Sequence, residues 1–384
     1  MAKYKLGDIC EIVSGSTPKT SIDEYWDGDV KWITPAELND DSYIISDSAR
    51  KITELAVKKT GLISFPEGTV ILSSRAPIGK VAIAGCEMYC NQGFKNLICS
   101  DKINNKYLYW FLKGNTHFLN SLGRGATFKE ISKAIVSEIE INIPDIEKQK
   151  KVVEILEKVR GVIVLRKKEL SILDNLIKAR FVEMFGDENN SKNWDVVNVE
   201  EVADVQVGVV IKPSQYYTDK SEGVRTFRSL NIGAGFIKDI DWVYFTKEGH
   251  QKNSKSILKK DDLLIVRSGA PGTACVVTED YAGCNAVDII IAHPDCKKVN
   301  PYYLCTFTNM PHGKKQIDEG IGGAAQQHFN VGKYNKLQLM LPPKMLQDEF
   351  VGFVKQVNKS KVAVQKALDE TQKLFDSLMQ QYFG

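Results

Sequence analysis

The residues best suited to chemistry are cations and amides lodged in glycine-containing turns. Arg75 and Lys80 lie in Ser73-Ser74-Arg75-Ala76-Pro77-Ile78-Gly79-Lys80, and Arg124 lies in Gly123-Arg124-Gly125-Ala126-Thr127 with Lys129 just after it. Arg228, Arg267, Gln326, Gln327 and His328 take similar places further along, Arg267 in Val266-Arg267-Ser268-Gly269-Ala270-Pro271-Gly272 and the last three after Gly322-Gly323. Such side chains can make bidentate hydrogen bonds to base edges or hold phosphates, and glycine lets a loop come close to a duplex. Catalytic signals are weak by comparison. Pro144-Asp145 followed by Glu147-Lys148 has the residue types of a metal nuclease, yet acidic residues there suit the opening turn of a helix. No Gly-x-x-x-x-Gly-Lys-Ser/Thr run is present. Cys86 and Cys90 are isolated, Cys284 and Cys296 lack paired short spacing, and the five histidines form no nucleophile–base pattern, so no metal site is expected.

The elements that must position these turns are written twice. Pro144 to Gly186 matches Pro342 to Gly384 without a gap, with ten of 43 positions identical, among them Gln149, Phe185 and Gly186 with their counterparts Gln347, Phe383 and Gly384. Upstream, Leu6-Gly7-Asp8-Ile9-Cys10-Glu11-Ile12 answers Val199-Glu200-Glu201-Val202-Ala203-Asp204-Val205. Ile71 to Pro77 answers Ile265 to Pro271, Cys90-Asn91 answers Cys284-Asn285, and Gly125 to Pro144 answers Gly323 to Pro342. The chain reads as a tandem duplication: a globular unit over 1–143, a helix over 144–186, a second unit over 187–341 and a second helix over 342–384.

Both 43-residue segments carry a 3.5-residue apolar repeat. In the first it runs through Val152, Leu156, Val159, Ile163, Leu170, Leu173, Ile177 and Met184, with Arg166 and Arg180 interposed. In the second it runs through Phe350, Val354, Val357, Val364, Leu368, Phe375, Leu378 and Tyr382, with Lys361 and Thr371 interposed. A repeat held this long predicts a coiled-coil seam. Because the termini of compact domains usually lie close together, the two helices are expected to run antiparallel, each ~60 Å long at 1.5 Å per residue. Within the globular units, Val70-Ile71-Leu72, Val81 to Ala84, Leu263 to Val266 and Cys275 to Val277 are buried-strand candidates, and Asn105 to Leu112 reads as a short buried helix. The expected class is α+β: two pseudo-symmetric mixed α/β domains separated by two long antiparallel coiled-coil helices.

The net charge of +3, 43% hydrophobic content and 26% charged content describe an ordinary globular protein, so nucleic-acid binding must come from local patches. Eight scattered cysteines without a secretory leader suit reduced cytoplasmic thiols, and no apolar run is long enough for a membrane span.

Duplicated units, each opening on a Leu-x-Asp-Ile-like segment and alternating with similar long helices, resemble the specificity subunits of Type I restriction-modification enzymes. The turns at Ser73–Ala82 and Val266–Gly272, and the glycine-rich turns at 123–127 and 322–326, are similar to that family's motifs. The resemblance covers essentially the whole chain. It implies two target-recognition domains, each reading one half of an asymmetric bipartite site in double-stranded DNA. It implies helices that act as spacer and as docking surface for two methyltransferase subunits, with restriction/translocase subunits joining them. S-adenosylmethionine, ATP and magnesium would then belong to the partners, and the chain itself would be non-catalytic. The nearest alternatives are the specificity subunit of a Type IIB-like enzyme and a self-sufficient DNA methyltransferase. For the latter, Asn300-Pro301-Tyr302-Tyr303 approaches the Asn-Pro-Pro-Tyr of adenine methyltransferases but lacks the second proline, and it is read here as the start of a structural helix.

Overall fold

A computed structural model describes residues 2–75, 77–125, 129–321 and 329–384. Its contacts divide the chain into two units, residues 1–167 with 366–384, and residues 168–365. Each unit takes the start of one long helix and the end of the other.

Unit 1 is built on a five-stranded sheet of β1 (Cys10–Ser14), β2 (Ile44–Ile45), β3 (Val70–Leu72), β4 (Val81–Ala84) and β5 (Lys95–Cys99), in the order β1-β5-β3-β4-β2. Every residue of β3 and β4 is buried, as expected for continuous apolar runs in a covered sheet. A smaller sheet joins Lys51–Ile52, Trp26–Ile33 and Tyr89–Cys90. Helix α1 (Asn105–Gly114) covers the main sheet with Tyr107, Leu108, Trp110 and Leu112. Its first turn is capped by Asn104, whose Oδ1 accepts from the N–H groups of Lys106 and Tyr107 at 3.0 and 3.2 Å.

Unit 2 repeats the plan. Strands β6 (Ala203–Val207), β7 (Leu263–Val266), β8 (Ala274–Val276) and β9 (Ile289–Pro294) pair in the order β6-β9-β7-β8. Helix α3 (Pro301–Asn309) takes the place of α1. Asn300 of the Asn-Pro-Tyr-Tyr run caps it, accepting from Tyr302 N–H at 3.0 Å, and the fully buried Tyr303 donates its hydroxyl to Met340 O at 2.8 Å.

The long helices are α2 (Ile146–Phe185) and α4 (Lys344–Phe383). All twenty seam positions of the two repeats, from Val152 to Met184 and from Phe350 to Tyr382, are buried or half-buried. In unit 2 the helices run antiparallel, since Asp174 pairs with Lys361 and Arg180 with Glu349. Aromatic residues anchor their ends: Phe185 packs on Tyr303 at 4.9 Å in unit 2, and Phe383 on Tyr107 at 5.0 Å in unit 1.

One identity of the duplication has a direct structural cause. Gln149 is fully buried; its Oε1 accepts from Asn104 N–H at 2.8 Å, and its Nε2 donates to Lys102 O at 3.0 Å and Pro144 O at 2.9 Å. Gln347 makes the same three bonds in unit 2, with Asn300 N–H at 2.8 Å, Lys298 O at 3.3 Å and Pro342 O at 2.8 Å. The amide clasps the start of each short helix to the start of each long one.

Candidate nucleic-acid interface

In unit 1, β3 leads into a closed turn. Ser73 N–H donates to Lys80 O at 2.9 Å, and Gly79 N–H donates to Ser73 O at 3.0 Å. Arg75 lies on this turn, backbone-paired with Glu130, and its guanidinium stands 3.9 Å from the Glu130 carboxylate. Glu130 also closes the loop that carries Arg124, through two backbone bonds of 3.0 and 2.9 Å. Its other carboxylate oxygen accepts from Lys95 Nζ at 3.3 Å, and Lys95 reaches Ser74 Oγ at 3.3 Å. Arg124 and Lys129 are exposed and Arg75 is half-buried. The fold therefore gathers four cations about Glu130, Arg75 and Lys95 at its carboxylate and Arg124 and Lys129 along its backbone, leaving positive charge on an accessible face. Lys80 does not join them: its ammonium donates to the carbonyls of Pro35 and Leu38 and ties the turn inward.

In unit 2, β7 leads into the equivalent turn, with Val266 N–H donating to Thr273 O and Gly272 N–H to Val266 O, both at 2.9 Å. These bonds match Val266 to Ser73 and Arg267 to Ser74, so Ser268 is the counterpart of Arg75. Phe329 N–H donates to Arg267 O at 3.0 Å, as Ile131 N–H does to Ser74 O at 3.0 Å. Arg75 and Arg267 share a turn but stand one position apart, where the gapless reading of the sequence puts them two apart. Their surroundings differ accordingly. Arg267 is 17% exposed, ion-paired with Asp288, and donates to Phe329 O at 3.3 Å. Arg228 is held as well: its guanidinium donates to Asp241 O, and its backbone N–H to Asn231 Oδ1 at 2.9 Å. Gln326, Gln327 and His328 lie outside the described residues.

Sequence reading missed Lys95 and Glu130. A Lys-Asn pair inside Phe94-Lys95-Asn96-Leu97-Ile98 was the available signal, because a charge within a buried apolar strand requires a partner. It also missed the loops that follow the first strand of each sheet. In unit 1 the loop is Gly15-Ser16-Thr17-Pro18-Lys19, and in unit 2 it is Gly208-Val209-Val210-Ile211-Lys212. Both open on a glycine pressed against the small sheet: a Cβ on Gly15 would sit 2.0 Å from Cys90 O, and one on Gly208 would sit 2.4 Å from Ala286 O. The structural counterpart of Cys90 is therefore Ala286, two residues beyond Cys284. Thr17 donates to Gln92 Oε1, whereas Val210 and Ile211 face solvent.

The buried thiols are packing groups. Burial pushes Cys90 up to about 12, Cys284 to about 11 and Cys305 to about 12. All eight cysteines are free, and among the described residues no three His, Cys, Asp or Glu are grouped to hold a metal ion. Among those residues, too, no helix is long and apolar enough to cross a membrane.

Residues 1–174 and 191–371 match the profile of the Type I restriction modification DNA specificity domain. The chain is 28% identical to the Type I restriction enzyme MjaIX specificity subunit of Methanocaldococcus jannaschii, over 98% of this chain and 90% of that protein. It is also 28% identical to the EcoR124I/EcoR124II specificity subunit of Escherichia coli, over 40% of this chain and 39% of that one. The crystal structure of a Type-I restriction-modification S subunit from M. genitalium superposes with a TM-score of 0.61 at 15% identity, covering 100% of this chain and 96% of that one. A second structure, from work on complex assembly and conformational transition of the type I R-M system, gives 0.60 at 17% identity, covering 100% and 97%. These two share the fold, mixed α/β units with long helices.

Proposed function

Since the chain belongs to the Type I restriction-modification DNA specificity family, we propose that each unit reads one half of an asymmetric bipartite site in double-stranded DNA, with a spacer of unread base pairs between the halves. The chain is the non-catalytic DNA-recognition subunit of such a system. The observation that carries the reading is the turn at the end of the central strand, built twice with the same backbone bonds and given different side chains. Duplicated geometry supports two readers of one kind, and different chemistry supports two different half-sites. Unit 1 offers Arg75, Arg124 and Lys129 for base and phosphate contacts; unit 2 offers the segment bearing Gln326, Gln327 and His328, with Arg228 and Arg267 tied to Asp241 and Asp288 in supporting places.

The long helices are the docking surface for two methyltransferase subunits, to which restriction/translocase subunits add. With its seam covered, α2 still exposes Ile155, Val162 and Leu165 in unit 1 and Ile172, Leu176 and Val182 in unit 2. Exposed apolar side chains at this density favour a partner helix. S-adenosylmethionine, ATP and magnesium act on those partners.

The test is to co-express the chain with its methyltransferase, measure the mass of the complex and sequence the modified sites in the host. Two methyltransferase copies per chain and a bipartite motif with unlike halves are expected. A one-to-one complex, a continuous motif, or methylation by the purified chain alone would refute the proposal.

A further inference from the structure

Among the described residues, the most exposed of the large hydrophobic side chains is Ile211, at 80%. With Val210, at 47%, it forms the tip of the 208–212 loop. The loop is firmly placed. Val209 bridges Val287, Asp288 N–H donates to Val209 O at 3.1 Å, and Asp288 is the carboxylate that pairs with Arg267. The apolar tip is therefore joined by two backbone contacts to Val287 and Asp288, and through the Asp288–Arg267 ion pair to the turn proposed above to face DNA. Lys212 follows it, exposed and in the left-handed region at φ 43, where a phosphate backbone would lie beside the tip.

The duplication supplies an internal comparison. The same loop in unit 1 opens on a glycine as closely pressed to backbone and ends on the same lysine, but has Ser16, Thr17 and Pro18 between them, with Thr17 bonded to Gln92. One position in the fold thus carries a hydrogen-bonding tip in unit 1 and an aliphatic tip in unit 2. Two side chains are far too small a surface for a stable protein interface, which needs about 800 Å² from each partner. They are the right size for the one apolar feature of a base-pair edge, the 5-methyl group of thymine in the major groove.

We propose that Val210 and Ile211 contact a thymine methyl in the half-site read by unit 2, while the Thr17 loop of unit 1 reads a hydrogen-bonding edge. This rests on the reading of unit 2 as a DNA-recognition unit. The test uses the complex of this chain with its methyltransferase and duplexes of the modified site in which each thymine is replaced singly by deoxyuridine, which lacks only the methyl. The wild-type complex should lose roughly fourfold in affinity, about the value of one buried methyl, at a thymine of one half-site. Ile211→Ala should bind the thymine duplex more weakly by a similar factor and be indifferent to that replacement. Because Ile211 is exposed, the variant should melt with the wild type. A wild-type complex with no sensitive thymine, or an Ile211→Ala complex that keeps the sensitivity, overturns the proposal, as does a variant whose only loss is in methyltransferase binding. In each of those cases a full base-pair scan still showing sequence preference in both halves leaves the two-reader function standing. A scan showing preference in one half alone refutes both.

Discussion

Replacing Gln149 with alanine should detach the start of α1 from the start of α2. The side chain is fully buried and makes three bonds of 2.8, 3.0 and 2.9 Å, so the change leaves the Asn104 N–H and the carbonyls of Lys102 and Pro144 without their partner. Three hydrogen bonds at a net ~0.5–1.5 kcal/mol each, with the added cost of stranding buried groups, give a loss of about 3 kcal/mol. For a unit of this size that is a fall of about 6–12 °C in its melting transition. Gln347→Ala should cost unit 2 a comparable amount, because the three bonds recur there. Hydrogen exchange read by mass spectrometry separates the two: amides around Asn104 to Tyr107 should lose protection in the first variant, and those around Asn300 to Tyr303 in the second. Gln149→Glu should be no better and should worsen as pH rises. A carboxyl held among carbonyls has its folded pKa raised, so its contribution is present below the unfolded value and lost as pH climbs through the folded one. A loss under about 1 kcal/mol in Gln149→Ala, or a loss confined to one of the two alanine variants, would show that the repeated clasp is incidental.

Three further outcomes are expected. Arg75→Ala should leave thermal stability almost unchanged, since its ion pair is long and partly exposed, but relax one half-site by about 1–3 kcal/mol of discrimination; Arg267→Ala should instead lower the melting temperature of unit 2 by stranding Asp288, and paired melting curves and modified-site sequencing would expose the opposite ranking. Burial works against the Glu157 carboxylate, but hydrogen bonds from Lys106 at 2.8 Å and from Tyr43 win and hold its pKa below the ordinary 4.5; the stability it adds should be complete above pH 4.5 and drain away as pH falls through the lower folded value, a loss that acid titration should show flattened in Glu157→Gln. Four residues inserted after Ala179 add about one helical turn, ~6 Å, to α2, and at ~3.4 Å per base pair the preferred spacer should lengthen by one or two base pairs with both half-sites unchanged; sequencing of modified sites would refute this if the spacer stayed the same in an active complex.

The scaffold was legible because its rules are periodic. A 3.5-residue repeat needs only the chain itself to be recognised, and every seam position from Val152 to Met184 and from Phe350 to Tyr382 is buried or half-buried. The buried strands at Val70 and Leu263 were legible for the same reason, since continuous aliphatic runs of that length have few other places to go. The candidate interface was not, because its geometry depends on pairings between residues distant in sequence. A gapless alignment set Arg75 beside Gly269 and Arg267 beside Ser73, whereas the bonds from Ser73 N–H to Lys80 O and from Val266 N–H to Thr273 O fix a register one residue different. A slip of one residue in a strand exchanges its two faces, and here it separates an accessible arginine from one locked against Asp288. Lys80 illustrates the same limit: its side chain turns to the carbonyls of Pro35 and Leu38, more than forty residues away. Ile211 was overlooked for the converse reason, that an isoleucine in Val-Val-Ile after an apolar strand reads as more strand. Only the buried Gly208 and the bridge from Val209 to Val287 turn the chain outward there. The parts of the fold that recur through local pattern are therefore shared by both units, and the parts set by long-range register are where the two units differ, which is where the proposed reading of two unlike half-sites needs them to differ.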